Sequence, residues 1–217
     1  MNWVLSFWRS TIGKKVVMAV TGLVGVGFVV GHVVGNLLMF QGAEAMNEYA
    51  AFLHDLGGLL WLARAVLLGA VILHVIAAYQ LTQLKRRARP VGYDKRTPQV
   101  STLASRTIRW GGVLLLVFIV FHILHFTLGS VHPNFTADVY RNVVVGFSNP
   151  IVAIFYVLAM LALALHLYHG TWSSLRTLGI NKASAKPLQR RLPVVVAVLV
   201  AGGFMAIPLA VLLGIIR

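Results

Sequence analysis

Five long runs of apolar residues, separated by polar and mostly basic stretches, set the rhythm of the chain. They occupy 16–40, 59–84, 110–131, 151–172 and 192–216. Each is long enough for the roughly 20 helical residues that cross a hydrocarbon core of about 30 Å. None alternates in the manner of a barrel strand, and in lipid only a helix or a closed barrel satisfies its own backbone. The pattern predicts an all-α membrane protein, a bundle of five transmembrane helices forming a single membrane domain over residues 1–217. No internal repeat or low-complexity tract interrupts it. No Ala-x-Ala-like cleavage site follows a short apolar core near the N-terminus, and the first run is too long for a signal-peptide core, so it is expected to be a retained span.

The stretches between the runs carry finer signals. In the first, Ala45, Tyr49, Phe52 and Leu53 recur at helical spacing and predict a short interfacial helix. Pro90, Gly92 and Pro98 predict irregular structure in the second. Pro150 stands near the start of the fourth helix, where its missing N–H costs little, and Pro208 inside the fifth predicts a kink.

Composition agrees with the pattern. With 59% hydrophobic and 11% charged residues, a soluble domain of 217 residues could not hide its apolar surface. The absence of cysteine excludes disulfides, a Cys-ligated iron–sulfur cluster in this chain and c-type haem attachment. A net charge of +14 raises nucleic acid as a partner, but the basic residues sit between apolar runs, and membrane topology explains them without it. The N-terminal arm carries Arg9, Lys14 and Lys15; the second loop Lys85, Arg86, Arg87, Arg89, Lys95, Arg96, Arg106 and Arg109; the fourth Arg176, Lys182, Lys186, Arg190 and Arg191. The first and third loops hold Arg141 alone among Lys and Arg, with Glu44, Glu48, Asp55 and Asp138. The positive-inside rule then expects a cytoplasmic N-terminus and an outside C-terminus.

Four of the apolar runs contain histidine, and an ionisable residue within a span is by default a functional one. His32 lies 17 residues beyond Lys15 on an outward helix, and His122 lies 13 beyond Arg109 on another. At 1.5 Å per residue, His32 is roughly 25 Å along its helix, so both lie past the midplane. His74 precedes Lys85 by 11 residues and His166 precedes Arg176 by 10, which puts both in the inner half. The four sort into an outer level, His32 with His122, and an inner level, His74 with His166. Two imidazoles facing each other at one depth are what bis-histidine ligation of a b-type haem requires. The other groups at those depths are almost all aliphatic or aromatic, without carboxylate or thiol, which argues against another metal.

Several neighbours fit around this scheme. Gly25 and Gly35 share the helical face of His32 and leave room for a flat macrocycle, while Gly27, Gly31 and Gly35 also make a small-xxx-small series suited to close helix packing. His125 lies one turn beyond His122, and His169 one turn beyond His166, so by depth alone each is an alternative ligand. Whichever is not a ligand is expected to contact a haem propionate or a quinone. Lys14, Lys15, Arg109 and Arg176, at the inner edge, are propionate candidates as well as topology determinants. Arg64, inside the second run, is placed to snorkel, to pair with Glu44 or Glu48, or to hold an outer propionate. His54 and His132, in outer loops, read as solvated surface.

The chain resembles the dihaem cytochrome b membrane-anchor subunit of succinate:quinone oxidoreductases (succinate dehydrogenase/fumarate reductase), of the single-anchor five-helix type found with menaquinone in many bacteria. The resemblance rests on Gly42-Ala-Glu-Ala-Met-Asn47, on the 42-residue interval from His32 to His74, and on His166-Leu-Tyr-His-Gly-Thr-Trp-Ser-Ser174. It implies two haem b groups, held by one histidine from each of the first four helices, paired one with three and two with four. It selects His166 over His169 and His122 over His125. It also implies a flavoprotein subunit and an iron–sulfur subunit on the cytoplasmic face of a bacterial inner membrane, electron transfer between them and quinone, and a quinone site near the outer haem. Glu44 or Glu48 is then the proton-handling carboxylate. The alternatives are a cytochrome b anchor of a hydrogenase or formate dehydrogenase, and a transporter or anchor without haem.

Overall fold

Helices long enough to cross a bilayer occupy Thr11–Gln41, Gly58–Arg87, Leu103–Thr127, Pro150–Thr177 and Arg191–Leu212. The computed structural model describes residues 2–88, 91, 102–180 and 187–217, with backbone only for 187–190. Arg89, Pro90, Gly92, Lys95, Arg96, Pro98, Lys182 and Lys186, all in the basic loops, lie outside the described residues, as does the side chain of Arg190. Among the described residues there is no strand. Four of the spans outrun their apolar runs by about one to two turns of mostly polar residues, for example Lys85 to Arg87 and Ser173 to Thr177. A helix already satisfies its own backbone, so it need not stop where hydropathy does.

In chain order the helices are α1 (Trp3–Arg9), α2 (Thr11–Asn36), α3 (Ala43–Asp55), α4 (Gly58–Arg87), α5 (Leu103–His122), α6 (Val139–Phe147), α7 (Pro150–Thr177) and α8 (Pro187–Leu212). A 3-10 turn, Leu37–Gln41, extends α2, and a π-helical turn, Ile123–Thr127, extends α5. The interfacial helix expected in the first loop is α3; α1 and α6 are additional. Pro150 opens α7 under an Asn149 cap, and α8 runs through Pro208, whose ring is fully buried.

Helix α7 is the hub, packing along α8, α5 and α2, whereas α4 packs chiefly along α2. A core of Met39, Phe118, Phe147, Tyr156, Met160 and Ile207 fills the space among α5, α6, α7 and α8. Helix α4 buries little of itself within the chain, with Ala70 and Ala77 its buried residues. Neither α2 with α5 nor α4 with α7 is among the closely packed helix pairs. These two wide seams are where the histidines meet.

The two ends of the bundle are finished differently. At the end nearest the N-terminus, Ser10 Oγ accepts from the Gly13 N–H at 2.8 Å and caps α2. A Cβ at Gly13 would run into the Phe7 carbonyl, so glycine is needed for this tight α1–α2 corner. At the other end, Gly42 (φ 101°) and Gly57 (φ 52°) turn the chain into and out of α3 in backbone conformations that favour glycine. The Tyr49 ring of α3 rests on Gly35, occupying the room that sequence reading allotted to a macrocycle beside His32. A Cβ built on Gly27 or Gly31 would meet nothing within 4 Å, so of the small-residue series Gly35 alone needs its missing side chain for close packing.

Helices α3 and α6 are latched together. Asn47 donates to Asp138 Oδ1 at 2.9 Å and accepts from the Tyr140 N–H at 3.1 Å, while Asp138 caps α6 through the Arg141 N–H at 2.9 Å. The Arg141 N–H, then the Asn47 amide, hold the Asp138 carboxyl below the usual carboxylate range. Its folded-state pKa is depressed, so the latch is complete above the unfolded value of about 4 and is lost as pH falls through the folded value. Replacing Asn47 by Ala removes two hydrogen bonds of about 1 kcal/mol each. Protection factors at Tyr140 and Arg141, taken against the intrinsic exchange rate at each pH, should fall in Asn47→Ala at neutral pH and in the wild type on acidification; unchanged protection in both would exclude the latch.

Candidate functional site: two histidine pairs

The imidazoles of His32 (α2) and His122 (α5) lie with ring centroids 5.9 Å apart, and those of His74 (α4) and His166 (α7) 6.2 Å apart. Each pair joins two helices that do not pack closely on one another. The pairs lie at different heights. His74 Nδ1 is 3.1 Å from the Met18 carbonyl and 3.3 Å from Thr21 Oγ1 of α2. Met18 is 14 residues before His32 on that helix, so the two levels are about 20 Å apart along the bundle.

The second ring nitrogen decides what each imidazole can do. At His74 the Met18 carbonyl can only accept, so Nδ1 carries the proton and Nε2 is left with a lone pair. His166 Nδ1 is buried with no hydrogen-bond partner. His122 Nδ1 lies 3.5 Å from the Tyr156 hydroxyl. At His32, Asn36 Nδ2 donates to the His32 carbonyl at 2.7 Å and lies 3.3 Å from Nδ1, so this amide offers Nδ1 no acceptor. Aromatic rings complete the upper level: Phe28 stacks on His32 at 5.2 Å, and Phe118 on His122 at 5.8 Å.

The seams have glycine where a flat group would need approach. No atom from outside its own helix lies within 4 Å of a Cβ built on Gly25 or Gly111; at Gly112 the nearest is His166 Cε1 at 3.8 Å, and at Gly22 it is His74 Cε1 at 3.3 Å. A cavity of about 90 Å³ between α5 and α7, lined by Thr107, Gly111 and His166, adjoins the lower pair. Among the described residues no group of three or more His, Cys, Asp or Glu could hold a metal ion, so at most two such side chains meet at either level.

The remaining predicted residues are spread out. His125 turns away from His32 and is buried against Tyr156 Oη at 3.0 Å. His169 lines an open groove of about 480 Å³ at the basic end, with Ile12, Lys15, Trp172, Ser173 and Arg176. Arg109 is exposed, and Arg176 lies over the Trp172 ring. Arg64 is exposed over Trp61, and no ion pair joins it to Glu44 or Glu48, which are exposed on α3. Lys14 is not free for an anion. It is buried and donates to the Trp8 and Arg9 carbonyls at 2.7 and 3.0 Å, closing the C-terminus of α1. His132 is buried rather than solvated, bonded to the Asn142 carbonyl and the Asn134 N–H, whereas His54 is exposed.

The family model for the succinate dehydrogenase/fumarate reductase transmembrane subunit matches residues 82–206, more than half of the chain. The chain belongs to that family. This transmembrane subunit is therefore a multi-pass membrane protein and the membrane anchor of a succinate dehydrogenase or fumarate reductase complex, associating with its other subunits. No curated protein and no solved structure matches it. The matched region holds His122, His125, His166 and His169 but begins after His74, so one member of each histidine pair lies within it.

Sequence reading missed the anchor subunit's Tyr156, Thr21 and Asn36, the groups that address the Nδ1 atoms. Nothing distinguishes them along the chain, where Tyr156 is one more aromatic in an apolar run. The role of Lys14 is testable directly. Replacing it by Met leaves two helix-terminal carbonyls without their charged donor, a loss of about 1.5–3 kcal/mol per hydrogen bond at most. Tryptic cleavage after Arg9 should become faster in Lys14→Met than in Lys15→Met; equal rates would return Lys14 to the pool of free cations.

Proposed function

We propose that this anchor is a dihaem cytochrome b, with one haem b held by His32 and His122 and a second by His74 and His166. The observation that carries the reading is the meeting of two imidazole pairs at two heights, each across a seam between loosely apposed helices. An iron held between two imidazole nitrogens by bonds of about 2 Å places the ring centroids about 6 Å apart, which both pairs satisfy. The open glycine faces at Gly25 and Gly111, and the lone pair left on His74 Nε2, suit a planar iron porphyrin. Bound there, the two groups supply one-electron carriers at two depths of the membrane.

The rest of the chain serves that chemistry by placement. The end bearing Lys15, Lys85, Arg86, Arg87, Arg109 and Arg176 is the cytoplasmic one and meets the iron–sulfur subunit, to which the flavoprotein is attached. Lys15, Arg109 and Arg176, at the same end as the lower pair, would supply positive charge for the propionates of a haem bound there. At the opposite end the exposed Glu44 and Glu48 of α3 would hand protons between the outside and quinone, menaquinone by resemblance. The protein works in a bacterial cytoplasmic membrane, passing electrons between the iron–sulfur subunit and quinone.

Replacing His74 or His166 by Ala should remove one of two b-type components from the reduced-minus-oxidised spectrum of the purified complex and leave the other. Loss of both, or of neither, would contradict the pairing. Succinate oxidation by the wild-type complex should proceed with a menaquinone analogue and slow at least tenfold in either variant, measured against an artificial acceptor at the flavoprotein, whose rate stays unchanged.

A further inference from the structure

The geometry points to Tyr156 as a positioning residue for His122, locked in place by His125; the inference rests on the haem reading above. Tyr156 Oη lies 3.0 Å from His125 Nδ1 and 3.5 Å from His122 Nδ1. The π-helical turn at Ile123–Thr127 lets two imidazoles three residues apart reach this one hydroxyl on α7. The hydroxyl has one hydrogen. If His122 ligates through Nε2, its proton sits on Nδ1, and Tyr156 must accept it. The hydroxyl hydrogen then goes to His125 Nδ1, and His125 keeps its own proton on Nε2. The direction of the whole chain, from His122 to Tyr156 to His125, follows from that one ligation.

Both supporting rings are held firmly. Tyr156 packs against Phe147 at 4.8 Å and Phe118 at 5.0 Å. His125 is 1% exposed and seated on α6, where a Cβ at Gly146 would come within 3.0 Å of its Cε1 and Nε2. Accepting the Nδ1 hydrogen makes the His122 ring a more basic ligand and favours the ferric state. No comparable hydroxyl addresses the lower pair on α7, where His166 Nδ1 has no partner. On the lower level the acceptor for a ligand Nδ1 is the Met18 carbonyl beside His74, a backbone group, so the tyrosine relay addresses the upper pair alone.

The test is a redox titration of the purified complex, with the upper component assigned as the one lost in His122→Ala. Tyr156→Phe keeps the ring and removes the acceptor, so the upper midpoint should rise while the lower stays in place. His125→Phe should shift the upper midpoint in the same direction, and the double variant should go no further than Tyr156→Phe, as expected for residues acting through one chain. Unshifted midpoints, equal shifts of both, or additive shifts would overturn the proposal while leaving the haem reading intact. If Tyr156→Phe loses the upper component altogether, His125→Phe, which retains the hydroxyl, decides in the same way. A wild-type complex with no b-type component would end both.

Discussion

An imidazole in hydrocarbon has one hydrogen to give and one lone pair to place, and an unpartnered polar atom there costs several kcal/mol. The bundle is arranged around four such rings. His74 gives its hydrogen to α2, which explains why α4 packs along that helix while the ring itself reaches across to α7. His122 leans on a hydroxyl of α7, the hub to which α5, α8 and α2 are all attached. The helices that carry paired histidines stay apart, and the helices that steady them from behind pack closely. A flat ligand between the pairs is consistent with that division.

The ends of the molecule serve the same purpose by different means. At the basic end, Lys14 and the Ser10–Gly13 corner fold α1 back as a short cap, leaving Lys15 and Arg176 beside the His169 groove. At the opposite end, two amphipathic helices, α3 and α6, are joined through Asn47 and Asp138. Tyr49 on Gly35 ties α3 to the helix of His32, and His125 on Gly146 ties α6 to the helix of His122. Both levels are half-buried, and the upper one is backed by Tyr156 of α7.

Much of this is legible along the chain, because lipid imposes length and charge imposes direction. Counting residues from Lys15, Lys85, Arg109 and Arg176 to the nearest histidine sorts the four rings into the same two levels at which the structure brings them together. Element boundaries were less visible, since a helix such as α4 continues through Lys85, Arg86 and Arg87 after its apolar run has ended. Helix α6 escaped notice because nine residues with a single charge make too short a pattern. Gly35 could be read as room for a ligand until Tyr49, 14 residues on, is seen to fill it. Lys14 and His132 look like surface groups in sequence. Only the tertiary fold shows that their hydrogen bonds close a helix end and a loop.

The central claim is that four histidines from four helices hold two haem b groups at two depths. It is tested most directly by haem content together with potentiometry on the purified wild-type complex. The account predicts two non-covalently bound haem b per chain, titrating as two components with distinct midpoints. A single component, or a preparation active with succinate that carries no haem in this subunit, would contradict it.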